Sequence, residues 1–177
     1  TSNENATYDM TKYLIENNHQ DIALIMTSKE DTILEMERRR GYERALADNN
    51  ISVRDELIKY GNTDYEGGYN SMKELIEDKI IPSAVFVTGD EAAVGAINAI
   101  FDAGYSVPED ISVAGFNDTK LAKIYRPKLT TVFQPLFDMG AVSIRALIKL
   151  INGEVVEEKK IELPYQIMER ESVTKKK

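Results

Sequence analysis

The sequence predicts an α/β fold, in which an open and mostly parallel sheet carries helices on both faces. Three near-continuous apolar runs indicate the sheet: DIALIM at residues 21–26, SAVFV at 83–87 and ISVAGF at 111–116. Strands of a parallel sheet are covered on both faces, so they lose the alternation of apolar and polar residues. Helical periods separate the runs, and 177 residues suffice for one domain, or one and a fraction, with its own core.

Four predicted helices lie between the strands, and a more polar run at residues 56–61 is typical of an edge strand. Thr63 with Glu66, and Thr88 with Glu91, have the spacing of capping boxes and mark the starts of the third and fourth helices. The apolar faces of the four helices are Ala6, Met10, Tyr13 and Leu14; Leu34, Gly41, Tyr42 and Ala45; Tyr65, Tyr69, Met72 and Ile76; and Ala93, Ile97, Ile100 and Phe101.

A different kind of helix is predicted over residues 135–152. Pro135 is favourable in a first helical turn, and the apolar residues that follow cover most of the circumference. Only Asp138, Arg145 and Lys149, at i, i+7 and i+11, form a narrow polar stripe. A helix of this composition requires cover on several sides.

The chain after this helix predicts one or two extended segments around Pro164, at an edge of the sheet. Residues 173–177 end in three lysines and are predicted to be a disordered tail. Because the sequence begins with Thr1 rather than methionine, we expect a piece of a longer chain.

Composition excludes several classes of function. The net charge of -8 argues against a free-standing nucleic-acid binder, which would present a basic face. The absence of cysteine excludes disulfides and thiolate metal sites and is compatible with a reducing cytoplasm. No signal-peptide pattern is visible, and no apolar run reaches the length of about 18 residues that a membrane span needs.

Catalysis is not expected either. His19, the one histidine, lies in a helix-to-strand turn and is better explained as a cap than as a base. Neither Gly-x-Ser-x-Gly nor His-Glu-x-x-His occurs, and TGDEAAVG at residues 88–95 lacks the lysine of a phosphate loop. The segment after the first strand lacks the paired acids of a phosphoacceptor site. We therefore predict no catalytic residue, no metal and no cofactor.

Polar residues follow every predicted strand. In open α/β sheets, ligands bind outside the carboxyl ends of the strands, so these residues are candidates for a binding site. The alternative is that they only cap the helices that follow. The four groups are Thr27-Ser28, Asn62-Thr63, Thr88-Gly89-Asp90 and Asn117-Asp118.

Arg38 strengthens the binding interpretation because it lies on the apolar stripe of the second helix, between Leu34 and Gly41. A guanidinium at such a position either extends to solvent or meets an acceptor. It could reach across the strand ends to a ligand, or form a salt bridge with Asp31 or Asp90.

The sequence resembles the LacI/GalR family of bacterial transcription regulators, in their effector-binding half. The resemblance rests on RRRGYERAL, on AVFVTGDEAAVGAINAIFDAGYSVPEDISVAGFNDT and on RPKLTTVFQPLFDMGAVSIRALIKLINGE. Within the family, the last helix is most similar to catabolite control proteins and maltose-type regulators of Gram-positive bacteria. The resemblance implies a C-terminal subdomain at residues 1–134 and 155–172, and a helix at 135–152 that belongs to an N-terminal subdomain missing from this chain, as is the DNA-binding headpiece.

The resemblance also implies roles for individual residues. Arg38, three before Gly41, matches an effector-binding arginine, and Gln134 matches a polar residue at the crossover between subdomains. Three positions depart from the family: Asn117 replaces an Asp, Gly89 a polar residue and Thr63 an aromatic one. The expected ligand is a small sugar or sugar phosphate, and the candidate ligand-binding residues are Arg38, Thr63, Asp90, Asn117, Asp118 and Gln134.

Partners are implied in the same way. In catabolite control proteins a phosphorylated phosphocarrier protein docks partly on the last helix, where this chain has Phe137, Arg145 and Lys149; a merely solvated stripe is the alternative. Val94 and Tyr125 occupy positions of the family's dimer surface. The family also implies a cytoplasmic homodimer that contacts operator DNA only through its headpiece.

The prediction is therefore an effector-sensing, dimerising and non-catalytic part of a carbohydrate-responsive regulator. A periplasmic-type sugar-binding protein of a transporter is the alternative, and a small α/β enzyme is a weaker one. The coding sequence upstream discriminates between the first two: a helix-turn-helix supports the regulator and a signal peptide supports the transporter.

Overall fold

A computed structural model describes residues 1–26, 33–155 and 161–177 and has the predicted α/β architecture. The strands are β1 (Ile22–Met26), β2 (Ile58–Tyr60), β3 (Ala84–Val87), β4 (Ser112–Asn117), β5 (Thr130–Phe133) and β6 (Gln166–Met168). The helices are α1 (Asn3–Glu16), α2 (Ile33–Asp48), α3 (Tyr65–Glu77), α4 (Asp90–Asp102), α5 (Lys120–Ile124) and α6 (Leu136–Ile151), and a 3-10 turn (Asp55–Leu57) precedes β2.

The strands that the structure describes form one sheet in the order β2-β1-β3-β4-β5-β6. Strands β1 to β5 run parallel, and β6 runs antiparallel to β5. The two elements predicted at sheet edges, the run 56–61 and the segment after Pro164, are indeed the edge strands. Because the central strands are parallel, their carboxyl ends meet at one edge, which we call the carboxyl edge.

Each face of the sheet carries its own hydrophobic core. Helices α3 and α4 cover one face, where Val85, Val87 and Val113 are fully buried. Helices α1 and α2 cover the other, where Phe86 and Phe116 stack with their ring centroids 6.2 Å apart. The strands are buried on both faces for this reason, which confirms the interpretation of the apolar runs.

The predicted helix faces are correct in their centres and wrong at several ends. Leu34 is 43% exposed and Phe101 is 40% exposed, although the helical period places both on apolar faces. In α2 Glu35 is buried in place of Leu34, whereas Arg38 is buried on the predicted stripe. Helix packing selects which of two neighbouring residues faces the sheet, and the apolar period alone does not distinguish them.

Both predicted capping boxes are displaced by one residue. Asp64, not Thr63, is the N-cap of α3, and its carboxylate accepts a hydrogen bond of 2.9 Å from the Gly67 amide. Helix α4 begins after Gly89 without a side-chain cap, because Thr88 still belongs to the end of the sheet, where its amide donates to the Ile25 carbonyl.

The prediction of a disordered tail at residues 173–177 was wrong. Val173 packs against the α1–α2 core, and the Lys176 amide donates to the Asn17 carbonyl at 2.9 Å. His19 holds this segment: its buried Nε2 lies 2.9 Å from the Thr174 carbonyl oxygen. Burial lowers the pKa of His19. The run of lysines gives no indication of these hydrogen bonds, which join the tail to the region at the amino ends of the central strands.

Helix α6 has the predicted bounds, but none of its residues is buried by the described part of this chain. Phe137 is 88% exposed and Ile151 is 75% exposed. The cover that its composition requires is therefore not provided by residues 1–26, 33–155 and 161–177. No described helix has the length and apolar content to cross a bilayer.

Candidate ligand-binding site

Arg38 is the central residue of the candidate site. It is 6% exposed, and its guanidinium carbon lies 4.6 Å from the centre of the Phe116 ring. The Nη1 atom donates to the Glu35 carboxylate at 3.0 Å and to the Thr88 carbonyl at 3.3 Å. The Nε atom is buried and has no hydrogen-bond partner among residues 1–26, 33–155 and 161–177. An unused N–H inside a protein is costly, which makes it a candidate donor to a ligand.

Spacing suggested two acids as partners of Arg38. Of these, Asp31 lies outside the described residues, and the Asp90 carboxylate is bonded elsewhere. Glu35 forms the ion pair instead, one turn earlier on the same helix, and both side chains are at most 7% exposed. Burial lowers the pKa of Arg38, and the Glu35 carboxylate opposes that shift. Sequence reasoning missed Glu35, although its i, i+3 spacing from Arg38 is the available signal.

Asn117 and Gln134 lie side by side at the carboxyl edge. Asn117 is paired in register with Phe133, so Gln134 follows directly on the neighbouring strand. Asn117 and Asp118 have φ angles of 108° and 53°, in the left-handed region that Asn and Asp tolerate better than most residues. The chain therefore turns sharply at the end of β4, next to the Phe116 ring under Arg38.

The Asp90 carboxylate is already bonded within the protein, and its ligand contact stays a prediction. The carboxylate accepts from the Thr131 hydroxyl and from the Thr119 amide, both at 2.6 Å. The residue is 1% exposed, and burial raises the pKa of its carboxyl group. It connects the start of α4 to β5 and to the loop after β4, and so stabilises the carboxyl edge.

Gly115 provides the space for the Asp90 carboxylate. A Cβ atom at Gly115 would lie 2.6 Å from the Asp90 Oδ1 atom and 2.6 Å from the Leu129 Cδ2 atom. Both contacts are closer than van der Waals distance, so any side chain here displaces the carboxylate or the core.

We therefore expect Gly115→Ala to lower the free energy of unfolding by about 1–3 kcal/mol, as overpacked cores do. Urea unfolding followed by circular dichroism measures the change. Gly140→Ala on α6 is the control, since nothing lies within 4 Å of its would-be Cβ. That control should be neutral or stabilising, and equal stability of the two variants would contradict the close approach.

Asp118 also has partners within the protein, and its ligand contact stays a prediction. Its carboxylate receives Arg170 Nη2 at 2.6 Å and Lys123 Nζ at 3.0 Å. Arg170 reaches it from beyond β6 and also donates to the Leu129 carbonyl at 2.7 Å. This contact fixes the left-handed turn at the end of β4. No sequence signal links residues so distant along the chain.

The remaining candidates are distributed as follows. Thr63 is exposed beside the carboxyl end of β2, and Thr27 and Ser28 lie outside the described residues. Val94 is 7% exposed, and Tyr125 is half-buried with its hydroxyl donating to Asn98 Oδ1. Arg145, Lys149 and Phe137 are exposed on α6, and their roles stay predictions.

The structure also contains recesses that Arg38, Asn117 and Gln134 do not line. A cleft of about 320 Å³ at the amino end of β1 includes Asn49 and Arg54, and a recess of about 240 Å³ includes Glu4 and Glu37. Within the described parts of the chain, no three acidic or histidine side chains converge as a metal site would need.

Comparisons with known proteins agree with this architecture. Residues 11–173 match the model of the periplasmic binding protein-like domain family. Catabolite control protein A of Priestia megaterium is 38% identical over 169 residues, which are 96% of this chain and 51% of that protein. The transcriptional repressor PurR of Histophilus somni (strain 129Pt) is 36% identical over 166 residues, 94% of this chain and 50% of the repressor.

Solved structures give the same result. The transcription regulator CcpA of Lactococcus lactis has a TM-score of 0.92 at 35% identity, covering 98% of this chain and 63% of that one. The complex of the regulator CelR with cellobiose has a TM-score of 0.91 at 32% identity, covering 97% and 52%. A dimeric Lac repressor has a TM-score of 0.91 at 28% identity, covering 99% and 64%.

The fold and the carboxyl edge define a ligand-binding α/β domain with its site at the ends of parallel strands. The chain belongs to the periplasmic-binding-protein-like domain family, in the form found in LacI-type transcription regulators, which confirms the resemblance drawn from the sequence. It spans about half the length of the curated relatives that it matches.

Proposed function

We propose that this chain is the effector-sensing and dimerising part of a LacI/GalR-type regulator of carbohydrate metabolism. One observation carries the proposal: Arg38 is buried at the carboxyl edge, above Phe116, with an N–H that no group in the described part of the chain accepts. Asn117 and Gln134 follow adjacent strands at the same edge. A hydroxyl-rich ligand supplies the acceptors and donors that such groups require.

The exposure of α6 supports a division of the protein into two subdomains. Residues 1–134 and 155–172 would form the C-terminal effector-binding subdomain, and the helix at 135–152 would belong to a second subdomain. The exposure of α6 supports that assignment, because none of its residues is buried by the described chain. Operator DNA would be contacted by a headpiece outside the 177 residues.

A periplasmic-type binding protein of a transporter is the alternative with the same fold. The names of the relatives favour the regulator, since they are a catabolite control protein and a repressor. The regulator would act in the cytoplasm, whereas the transporter protein would carry a signal peptide. The upstream coding sequence distinguishes the two.

The proposal is tested by titrating the intact protein with sugars, using calorimetry to measure binding and a DNA-release assay to measure response. We expect one sugar to bind and to change operator affinity. Asn117→Ala should weaken that binding by roughly tenfold, as loss of one buried hydrogen bond does. Asn49→Ala, in the cleft at the opposite end of the sheet, is the matched control. Turnover of a sugar phosphate, or equal effects of both variants, would contradict the proposal.

The exposed α6 supports a second proposal, that a phosphorylated phosphocarrier protein docks on this helix. Arg145 and Lys149 are one turn apart on it and fully solvated, and Phe137 is 88% exposed. Arginine binds phosphate through two parallel hydrogen bonds and lysine binds it as a point charge. Phe137 lies about two turns before Arg145 on the same helix and adds an aromatic residue to this exposed surface.

We expect Arg145→Ala in the intact protein to weaken binding of the phosphorylated carrier by about 1.5–3 kcal/mol, the value of a charge-assisted hydrogen bond. Lys12→Ala, which removes a solvated cation from α1, is the control and should leave the affinity unchanged. Calorimetry provides both values. If Arg145→Ala leaves the affinity unchanged, Arg145 and Lys149 belong only to a solvated polar stripe and do not bind the carrier.

The surface around Tyr125 is the proposed dimer interface. Ile124 is 57% exposed and Phe101 is 40% exposed. With the half-buried Tyr125 and the buried Val94, they form the proposed apolar area. We expect Ile124→Glu to weaken the dimer by at least about tenfold, because it places a charge in that area. Sedimentation equilibrium measures the constant. Lys73→Glu, on an exposed helix surface, should not change it.

A further inference from the structure

The buried ion pair between Glu35 and Arg38 determines which charge the candidate site can accept. The two side chains are 5% and 7% exposed and lie 3.0 Å apart, so solvent does little to screen either charge. A lone arginine at this position would present a full positive charge to the ligand. With Glu35 in contact, the pair is close to neutral.

Charge at this position has opposite consequences for two kinds of ligand. A phosphate group brings a charge of about -1.5 to -2 near pH 7, and beside Glu35 it would meet a carboxylate of the same sign in a poorly solvated place. An uncharged hydroxyl meets no such penalty. It can accept from Arg38 Nε and donate to a carboxylate or to a carbonyl oxygen, as a sugar ring does repeatedly.

The other charged groups near the carboxyl edge do not restore a positive site. Lys123 and Arg170 are both paired with Asp118, and Asp90 adds a further buried carboxylate. Lys120 is exposed to solvent, where a single cation contributes little. Among the described residues, the surroundings of Arg38 therefore favour a neutral ligand.

We propose that Glu35 is a charge-selecting residue, which makes this site bind an uncharged polyhydroxylated compound and reject its phosphorylated form. The sugar nature of the ligand rests on the proposed function. The rejection of phosphate does not, because it follows from the ion pair alone.

The direct test measures thermal unfolding of the intact protein in increasing inorganic phosphate, with chloride at matched ionic strength as reference. Three forms are compared: the wild type, Glu35→Gln and the double variant Glu35→Gln/Arg38→Gln. Glu35→Gln keeps the size of the side chain and leaves Arg38 without its counter-ion. The gain in Tm from phosphate should be larger for this variant than for the other two forms, by more than about 3 °C at saturation.

The double variant separates binding at Arg38 from the general stabilisation of proteins by phosphate. If all three forms gain equally, or if the wild type gains as much as Glu35→Gln, the proposal is wrong. A Glu35→Gln protein that is unfolded without phosphate must fold when phosphate is added. Failure to do so also overturns the proposal.

A second arm uses the ligand. Once an uncharged sugar is found to bind, its phosphorylated form should bind the wild type about ten- to hundredfold more weakly, and Glu35→Gln should reduce or reverse that ratio. Tighter binding of the phosphorylated sugar to the wild type overturns the proposal. If no sugar binds, the proposed function fails, while the phosphate arm still decides the role of Glu35.

Discussion

In the absence of further residues, the 177-residue chain is expected to self-associate through α6. The helix exposes more than five large apolar side chains, among them Ile144 at 59%, Leu147 at 55% and Leu150 at 60%. Burial of each is worth about 1.5–3 kcal/mol, so five of them represent about 7–15 kcal/mol. That is comparable with the stability of a whole domain, so we expect the same helix of a second copy to cover them.

Light scattering across a concentration series measures this association. The double variant Ile144→Gln/Ile151→Gln should weaken it by more than about tenfold, because two buried apolar side chains are lost. Lys149→Gln, which changes one charge on the same helix, is the control. A monodisperse monomer at high micromolar concentration, with α6 protected from hydrogen exchange, would show instead that the helix folds back onto its own chain.

Replacing Arg170 by methionine is expected to destabilise the fold by about 3 kcal/mol, because removal of one partner leaves a buried charge without compensation. Asp118, with a side chain 3% exposed, would keep only Lys123, whose side chain is 53% exposed. The expected loss of stability is therefore at the lower end of the range of about 3–5 kcal/mol for breaking a buried ion pair. The turn after β4, which carries Asn117, should loosen as well.

Chemical unfolding of the single and double variants tests this expectation. Asp118→Asn/Arg170→Met removes both charges and should recover much of the loss, since no unpaired carboxylate remains. Lys128→Met is the control, because its pair with Glu171 is largely exposed. If Arg170→Met costs no more than Lys128→Met, the pair with Asp118 does not support the carboxyl edge.

The fold could be predicted from the sequence because its signals are local. Continuous apolar runs separated by helical periods give an α/β sheet, and the polar run 56–61 and the segment around Pro164 correctly predict its edges. Details decided by packing could not be predicted. Leu34 is exposed and Glu35 is buried because the packing of α2 determines which of these neighbours faces the sheet. The tail from residue 173 is held by backbone hydrogen bonds, which the sequence does not indicate.

The candidate site could be predicted less completely. Strand ends and the position of Arg38 on an apolar stripe bring Arg38, Asn117 and Gln134 to one edge, as the structure places them. The roles of Asp90 and Asp118 could not be deduced, because their partners are Thr131 and Arg170, far along the chain. Spacing identifies polar residues near an edge, but only the tertiary contacts show which of them are already bonded.

A crystal structure of the intact protein with the sugar that binds most tightly tests the proposed binding site most directly. We expect the sugar at the carboxyl edge, within hydrogen-bond distance of Arg38 and Asn117, with the Glu35–Arg38 pair intact. A sugar bound in the cleft beside Asn49, at the opposite end of the sheet, would contradict it.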